Sequence, residues 1–434
     1  MSLWEGFFGA LNIALQILGT YWWILLPVIL AVFLWQSWLY YIQINFIAAM
    51  KWVLLKITVP ADVVKLPLAM EQIFAGLHST LYRGSWWQRY VNGRVQEWFT
   101  LEILSVGGVI NFYIRTHVKF RNLVESQIYA QYPNAEIHEV DDYVWNIPAD
   151  LPNSDHDLFG SEFVLTKEDA YPIRTWTQFK FEIKEGEEII DPMAGLIESL
   201  ATVKEGEQLW LQIGIKPVGD GWKKEGEKII SKLIKRPEEP KKTSQVLEIL
   251  KKEAADYATG IAQAPFKIPE YSTEEKKDKK EAPPSIMMHL SPGEREVVES
   301  IELNTSKVGF ETGIRILHIA PRENYNPGPF FTTSYTFRQF STQNLNAFRI
   351  DRPTFTTTEW PMPWPKFLVD NVNNFRKKWL LYKYRFRYKP HKPFILNIEE
   401  LATIFHFPGR FVTSPALPRI PIKKGEPPSA LPIQ

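Results

Sequence analysis

The residues in this chain that are best suited to bind a metal ion are two histidines and four aspartates between positions 138 and 157. They are His138, Asp141, Asp142, Asp155, His156 and Asp157. Carboxylate and imidazole groups of this kind can coordinate divalent cations. However, no ligand spacing repeats among them, and loops rich in Asp, Asn and Pro form ordinary turns without a metal. We therefore predict no metal site and no cofactor.

Motifs for nucleotide binding and covalent catalysis are absent from the sequence. It contains no GxxxxGK[ST] loop to hold phosphates, no GxSxG elbow for a nucleophilic serine and no HExxH pair for zinc. It also contains no cysteine, which excludes thiolate nucleophiles, disulfides and Cys-ligated metal centres. The sequence predicts a protein that is not an enzyme.

A basic and aromatic segment between Arg376 and Lys392 is the best candidate for contact with a nucleic acid. From Tyr382 to Lys389 aromatic and cationic residues alternate, which predicts a surface strand with one packed face and one cationic face. Such a face could instead follow phosphates while aromatic rings stack on bases, with DNA as a possible partner. The cationic residues are Arg376, Lys377, Lys378, Lys383, Arg385, Arg387 and Lys389. Since 50 Lys and Arg balance 49 Asp and Glu, only a local patch could attract DNA.

The N-terminal 50 residues predict a membrane anchor. No residue between Glu5 and Lys51 carries a formal charge, and Tyr21 to Ile42 is long enough to cross the hydrocarbon core. Aromatic residues of the type that settles at membrane interfaces lie near both ends of this span. They are Trp22, Trp23, Trp38, Tyr40 and Tyr41. We expect a single span, with the lipid bilayer as a partner.

The charges around the span predict its orientation. Lys51, Lys56 and Lys65 follow it and no Lys or Arg precedes it, so the positive-inside rule places the C-terminal bulk in the cytoplasm. A cleaved signal peptide is disfavoured, because the n-region lacks basic residues and no small-x-small cleavage site follows. The apolar segment Phe7 to Leu18 is too short to span alone, and either lies in the interface or extends the helix.

Residues 51–145 alternate between strand and helix patterns. A strand over Lys51 to Val59 precedes a helix that opens at Pro67, and Gly107-Gly108 joins two alternating runs as a hairpin turn. A second amphipathic helix ends at Pro133, before the strand "AEIHEV". The order βαββαβ predicts a ferredoxin-like domain.

Residues 160–350 predict a second ferredoxin-like α/β sandwich, so that the fold class is α+β. A helix after Asp191-Pro192, the strand "EQLWLQIGIKP", a helix from Ser291-Pro292 and the strand "FETGIRILHIAP" follow in order. A charged, disordered insertion is expected over about 236–288. Residues 351–434 predict the basic and aromatic segment, a short helix over "NIEELATIFHF" and an extended Pro-rich tail.

Several segments in this order resemble one known family. They are "PLAMEQIFAGLHS", "LEILSVGGVINFYIRT", "RNLVESQIYAQYPNAEI", "DPMAGLIESL", "EGEQLWLQIGIKP", "SPGEREVVESIE", "FETGIRILHIA" and "NIEELATIFHFPG", followed by "PPSALP". They are similar to the membrane-anchored N-terminal region of ATPases related to type IV secretion and conjugation, of the HerA/FtsK-like motor class, in candidate-phylum bacteria. The similarity extends over nearly the whole chain except the charged insertion.

The resemblance implies a scaffold in the inner membrane that positions a motor ATPase. In the family the motor domain follows the "EELATIFHFPG" block, so we expect either a motor on a separate polypeptide or a split or truncated form. The block implies a partner contact through Glu399, Glu400, Leu401, Phe405 and Phe407. We then expect a non-catalytic chain that forms a homo-oligomeric ring, and the alternative hypothesis is a membrane-anchored DNA-binding protein that uses residues 376–392.

Overall fold

A computed structural model gives the fold for residues 3–60, 65–183, 186–189, 191–234, 290–357, 365–409 and 414–419. The predicted insertion over 236–288 and the Pro-rich end of the chain from residue 420 lie outside these described residues.

The N-terminal segment forms one long helix, α1 (Leu3–Ala48), which continues through Pro27. Its stretch Leu26–Ala48 has a mean hydropathy of 1.3 and is long and apolar enough to cross a membrane. A signal sequence near an N-terminus meets the same criterion. The apolar segment Phe7 to Leu18 belongs to the same helix, which decides between the two placements that the sequence left open.

The next elements follow the predicted order of strand, helix, two strands, helix and strand. They are β1 (Trp52–Thr58), α2 (Leu68–His78), the short α3 (Trp86–Tyr90), β2 (Phe99–Val106), β3 (Val109–His117), α4 (Arg121–Gln131) and β4 (Glu136–Val140). Gly107 and Gly108 form the β2–β3 turn with φ angles of +54° and +84°, which favour glycine. These strands are all antiparallel and lie in the order β2-β3-β1-β4.

The second half of the chain adds seven strands and six helices among the described residues. They are β5 (His156–Leu165), β6 (Lys180–Ile183), β7 (Gly186–Ile189), α5 (Ala194–Ala201), β8 (Gln208–Pro217), α6 (Gly221–Leu233), α7 (Pro292–Ser306), β9 (Gly309–Pro321), α8 (Gly328–Thr336), β10 (Phe348–Ile350), α9 (Lys366–Arg385), β11 (Phe394–Asn397) and α10 (Ile398–Ile404). Strands β6 and β7 form a separate hairpin. Helix α7 starts where Ser291-Pro292 predicts, because Ser291 and Glu294 form a reciprocal capping box.

The two sets of strands form one antiparallel sheet, whereas the sequence predicted two separate sandwiches. The sheet order is β10-β5-β9-β8-β2-β3-β1-β4, and β11 also pairs with β9. The join is between β2 and β8, which pair from Phe99 opposite Ile215 to Val106 opposite Gln208. Both strands are buried over most of their length, as central strands covered on both faces are. Periodicity within each half could not reveal this long-range pairing.

Helices cover the two faces of the sheet unequally. One face packs against α2, α4, α5, α8 and α10 around one large apolar core. The opposite face packs against α9 and the loop before β5, with Trp210, Leu317 and Tyr384 among its buried side chains. The short helix predicted over "NIEELATIFHF" corresponds to α10, and the apolar residues of α9, β11 and α10 complete these two cores.

Gly160 of β5 allows α9 to lie against the sheet. A Cβ atom at this position would lie 2.5 Å from the carbonyl oxygen of Ile316 and 2.9 Å from Cδ2 of Leu380 on α9. Since the backbone oxygen cannot move aside easily, we expect Gly160→Ala to lower the free energy of unfolding by about 1–3 kcal/mol. Urea denaturation of the detergent-solubilised protein measures this change.

Gly293→Ala is the matched control for this prediction, because a Cβ atom there would meet nothing within 4 Å. Alanine in the first turn of α7 should leave stability unchanged or raise it by at most about 1 kcal/mol. Equal effects of the two substitutions would show that α9 does not lie as close to β5 as described.

Candidate partner-binding surface

Helix α9 extends to Arg385, whereas the sequence predicted a surface strand over residues 382–389. Leu380, Leu381 and Tyr384 occur at helical spacing and are buried against the sheet. The alternation of aromatic and cationic residues therefore reflects a helix end and the loop after it. Burial of the helical face against the sheet therefore outweighs the strand preference that the short alternating pattern indicates.

A row of four polar side chains crosses the sheet beneath the end of α9. Glu102, Gln212, Arg315 and Glu162 are direct neighbours on β2, β8, β9 and β5. Gln212 Nε2 donates to Glu102 Oε1 at 3.0 Å, and Arg315 Nη1 donates to Gln212 Oε1 at 3.0 Å. Arg315 Nε donates to Glu162 Oε1 at 2.7 Å. We call these four residues the polar row, and all four are buried.

The end of α9 supplies the cations that the two glutamates of the polar row require. Lys383 Nζ lies 3.3 Å from Glu162 Oε1. Arg387 donates to both oxygens of Glu102 at 2.9 and 3.1 Å, and to Asp142 Oδ1 at 2.8 Å. Arg387 has a φ angle of +47°, the left-handed conformation that ends the helix and turns this side chain inward. The glutamates are thus paired from two directions.

The electrostatics of this cluster favour its charged, paired state. Burial disfavours the charge on Arg387, but Glu102 and Asp142 outweigh it and hold its pKa well above the usual value. Burial lowers the pKa of Arg315, and Glu162 partly offsets the shift. Burial and the charge of Glu102 raise the pKa of Tyr384 well above its ordinary value. Each buried charge has a partner, so the cluster serves to position α9.

The structure does not bring the predicted nucleic-acid-binding residues onto one cationic face. Lys383, Arg385 and Arg387 are buried, and Arg385 donates to the carbonyl oxygens of Ile147 and Pro148. Of the four remaining basic side chains, two contact other groups of the protein and two are exposed to solvent. Lys377 pairs with Asp157 at 2.6 Å, Arg376 donates to the carbonyl oxygen of Phe355 at 3.2 Å, and Lys378 and Lys389 are exposed.

The predicted partner-binding residues of α10 are also buried. Glu399 pairs with Lys307, and Glu400 completes a capping box with Asn397. Burial raises the pKa of Glu400 to about 8. The side chains of Leu401, Phe405 and Phe407 belong to the main apolar core. The structure therefore places the side chains of this block inside the domain.

Three of the candidate metal residues lie beside other side chains of the protein. Asp142 pairs with Arg387, and Asp157 pairs with Lys377. His138 lies 3.5 Å from Glu136. Among the residues that the structure describes, no group of three or more potential ligands has the arrangement of a metal site.

The predicted interface residues of α1 are exposed on the helix, as a membrane-facing position requires. Trp22, Trp23, Tyr40 and Tyr41 each expose more than half of their surface. Trp38 is partly covered, because its indole Nε1 donates to the carbonyl oxygen of Tyr90 on α3 at 3.3 Å.

The outer face of α9 carries a continuous apolar stripe that the sequence analysis did not identify. We call it the α9 seam. Its members are Leu368, Val372, Phe375, Trp379, Tyr382 and Phe386, which recur at alternating steps of four and three residues. The rings of Trp379 and Tyr382 stack at 5.3 Å, and those of Tyr382 and Phe386 lie 4.7 Å apart. Phe375 exposes 67% and Phe386 50% of its surface.

The spacing of the α9 seam is that of a coiled-coil interface, which packs against another helix. The sequence contains this spacing, but the spacing indicates an interface only once the segment is assigned to a helix. Lys378, one position before Trp379, is exposed at the side of the seam, whereas Lys366 and Asp370 lie about 160° around the helix from Leu368. The surface therefore combines an apolar stripe with one exposed basic residue beside it.

Helix α9 begins near the strand ends that are farther from α1. The start of β1 follows α1 directly, and the register places Phe99, Ile215 and Leu165 at that same end of their strands. Lys377 pairs with Asp157, near the opposite end of β5, whereas Lys383 pairs with Glu162 farther along it. The N-terminal half of α9 therefore points away from α1.

We expect Arg387→Ala to lower the free energy of unfolding by about 3–5 kcal/mol, because Glu102 would remain buried without its bidentate partner. Chemical denaturation in detergent measures the loss. Lys389→Ala removes an exposed cation two residues away and should change stability by less than about 0.5 kcal/mol. An Arg387→Ala protein as stable as Lys389→Ala would contradict the role assigned to this ion pair.

No curated protein matches this sequence. Residues 52–416 match a family described as Domain of unknown function (DUF8128). The matched segment begins at the first residue of β1 and contains the whole nine-stranded sheet and α2 to α10, but not α1. Since the match covers most of the chain, the protein belongs to the DUF8128 family.

Proposed function

We propose that this protein is a non-catalytic scaffold that α1 tethers to the membrane, and that its α9 seam binds a helix of a partner protein. The observation that carries the proposal is the α9 seam itself. It exposes a row of large aromatic side chains on a helix that buried ion pairs hold firmly on the sheet. Contiguous exposed apolar stripes on soluble domains mark interaction sites.

The chemistry of the seam defines the partner. Steps of four and three residues fit the knobs-into-holes packing of a second α-helix. The exposed Lys378 beside the seam favours an acidic residue on that helix, since charges beside a coiled-coil interface select partners. We propose a different protein as the partner, because the sequence blocks resemble regions that adjoin a motor domain, and we treat self-association as an outcome of the test.

We further propose that the partner is an ATPase of the HerA/FtsK-like class, acting in a type IV secretion-like or DNA-translocation machinery. The support is the resemblance of the ordered sequence blocks to the membrane-anchored regions of such ATPases. The direction of α9 agrees with this proposal, because its N-terminal half points away from α1 and so from the membrane. A motor in the cytoplasm could reach it there.

The tether proposal has α1 crossing the inner membrane once, with the domain from Trp52 onward in the cytoplasm. Its support is the apolar length of Leu26–Ala48 together with Lys51, Lys56 and Lys65 on the C-terminal side. Recovery of the full chain from the aqueous fraction without detergent would contradict it.

We also propose that the sheet arose from two ferredoxin-like units fused edge to edge. Numbered within each half, the strands β10-β5-β9-β8 have the order 4-1-3-2, and the strands β4-β1-β3-β2 have the same order. The two halves meet through equivalent strands, β8 and β2. A fused sheet of this kind would give a scaffold a rigid platform that two independently moving domains could not.

The proposal predicts that the wild-type protein, extracted from membranes in mild detergent, co-purifies with a HerA/FtsK-like ATPase identified by mass spectrometry. Trp379→Glu places a charge in the centre of the α9 seam and should reduce the recovered ATPase at least about tenfold, as loss of a tryptophan hot spot does. Val109→Glu, at an exposed apolar residue of the β2–β3 hairpin, is the control and should recover the ATPase normally.

Two results would contradict the proposal. One is a wild-type protein that purifies without any ATPase, and the other is equal recovery by both variants. If cross-linking instead yields a homodimer that Trp379→Glu abolishes, the seam binds a second copy of this chain, and the heterologous partner is wrong.

A further inference from the structure

The short helix α3 is bound to the side of α1. The ring of Tyr90 stacks on Trp35 of α1 with 5.9 Å between centroids, and the Tyr90 carbonyl oxygen accepts the Trp38 indole N–H at 3.3 Å. Gly93, with a φ angle of +64°, lies so close to α1 that a Cβ atom would be 2.4 Å from the carbonyl oxygen of Ile42. The chain from α3 to Gly93 is therefore fixed beside α1 between residues 35 and 42.

This contact determines the depth of α3 if α1 crosses the bilayer. Trp35 and Ile42 both lie in the C-terminal part of the predicted span Tyr21 to Ile42, on either side of the predicted interface residues Trp38, Tyr40 and Tyr41. At about 1.5 Å per residue, the two are roughly 10 Å apart along the helix axis. If Tyr21 to Ile42 crosses the bilayer, a segment held against this part of α1 lies at the membrane interface and not in bulk water.

The exposed side chains of α3 suit that position. Trp86 exposes 62% and Trp87 61% of its surface, and neither is buried by the domain. Tryptophan concentrates at the membrane interface, where its apolar ring and its N–H group are both accommodated. Trp86 contacts Tyr90 of the same helix, with 5.5 Å between ring centroids, and more than half of the surface of each tryptophan stays exposed.

The charges around α3 indicate which lipids it contacts. Between Ser79 and Gln96 the chain carries Arg83, Arg89 and Arg94 and no acidic residue. Arg83 and Arg89 are exposed, whereas Arg94 lies over the ring of Tyr82 at 4.3 Å. Arginine binds phosphate oxygens through its planar fork of donors, and basic residues at the membrane surface are attracted to anionic lipid.

We propose that α3 is a second membrane contact, which inserts Trp86 and Trp87 into the interface of the leaflet at the C-terminal end of α1 and binds phospholipid phosphates through Arg83 and Arg89. This inference rests on the proposed tether, since α1 must cross the bilayer for α3 to reach it. The two contacts together fix the domain in orientation, because one helix alone leaves it free to swing on its linker.

The absence of cysteine from the chain permits a direct test with single-cysteine variants of the full-length protein. Trp87→Cys, Val28→Cys and Val109→Cys, each labelled with the fluorophore NBD, are reconstituted into phosphatidylcholine–phosphatidylglycerol vesicles that contain doxyl-labelled lipid. Val28 is exposed within the candidate span. Val109 is exposed at the start of β3, about 27 Å along the strand from its end near α1.

We expect lipid quenching of the probe at position 87 near the headgroups and at position 28 in the hydrocarbon core, with none at position 109. Quenching at 28 without quenching at 87 would overturn the α3 contact and leave the tether intact. The absence of quenching at both positions would contradict the tether as well. Because the probe at 87 replaces one tryptophan and leaves Trp86 in place, the variant tests position without removing the whole contact.

The role of the arginines is tested separately in the Trp87→Cys background. Adding Arg83→Glu and Arg89→Glu should reduce quenching at position 87 at least about twofold in vesicles that contain phosphatidylglycerol, because repulsion replaces attraction at the surface. Quenching that does not change would contradict phosphate binding by these two residues. Quenching at position 28 should remain unchanged and serves as the control for insertion of α1.

Discussion

The polar row formed by Glu102, Gln212, Arg315 and Glu162 imposes the strongest physical constraint on this fold. A buried carboxylate without a partner is very costly, so each glutamate requires a cation in a defined place. Arg315 satisfies Glu162 from within the sheet, and Arg387 satisfies Glu102 from the loop after α9. Because Gln212 of β8 donates to Glu102 of β2, the row is complete only when the two halves of the sheet have come together.

This constraint connects the two surfaces to which we assign a function. Helices α1 and α3 lie near one end of the strands, and the α9 seam begins near the opposite end. Between them the continuous sheet and the polar row leave no linker that could act as a hinge among the described residues. A partner bound to the seam would therefore be held at a fixed distance and orientation from the membrane, as a scaffold requires.

The sequence predicted those features that depend on local chemistry. The glycine pair at 107 and 108 predicted the β2–β3 hairpin, and Ser291-Pro292 predicted the start of α7. The helix predicted to open at Pro67 corresponds to α2, whose buried face includes Met70, Ile73, Phe74 and Leu77. In each case neighbours along the chain determine the structure, so a single sequence carries the information.

The features that the sequence analysis missed depend on contacts between distant residues. The alternation over 382–389 resembles a strand, but Leu380 and Tyr384 are drawn onto a sheet face formed largely by residues 54–319. The basic residues in this run seemed suited to solvent or phosphate, yet their partners Glu102 and Glu162 lie more than 200 positions earlier. The pairing of β2 with β8 is equally invisible to periodicity, which identifies strands but not their neighbours.

Hydrogen exchange of the full-length protein in detergent, followed by mass spectrometry at increasing urea concentration, tests the central claim most directly. If the polar row locks the two halves into one body, peptides covering β2 and β8 should lose protection together, in a single cooperative opening with the same urea dependence. If the peptides of β2 and β8 open separately, at different urea concentrations, the two halves are independent domains and the account of a single rigid scaffold is wrong.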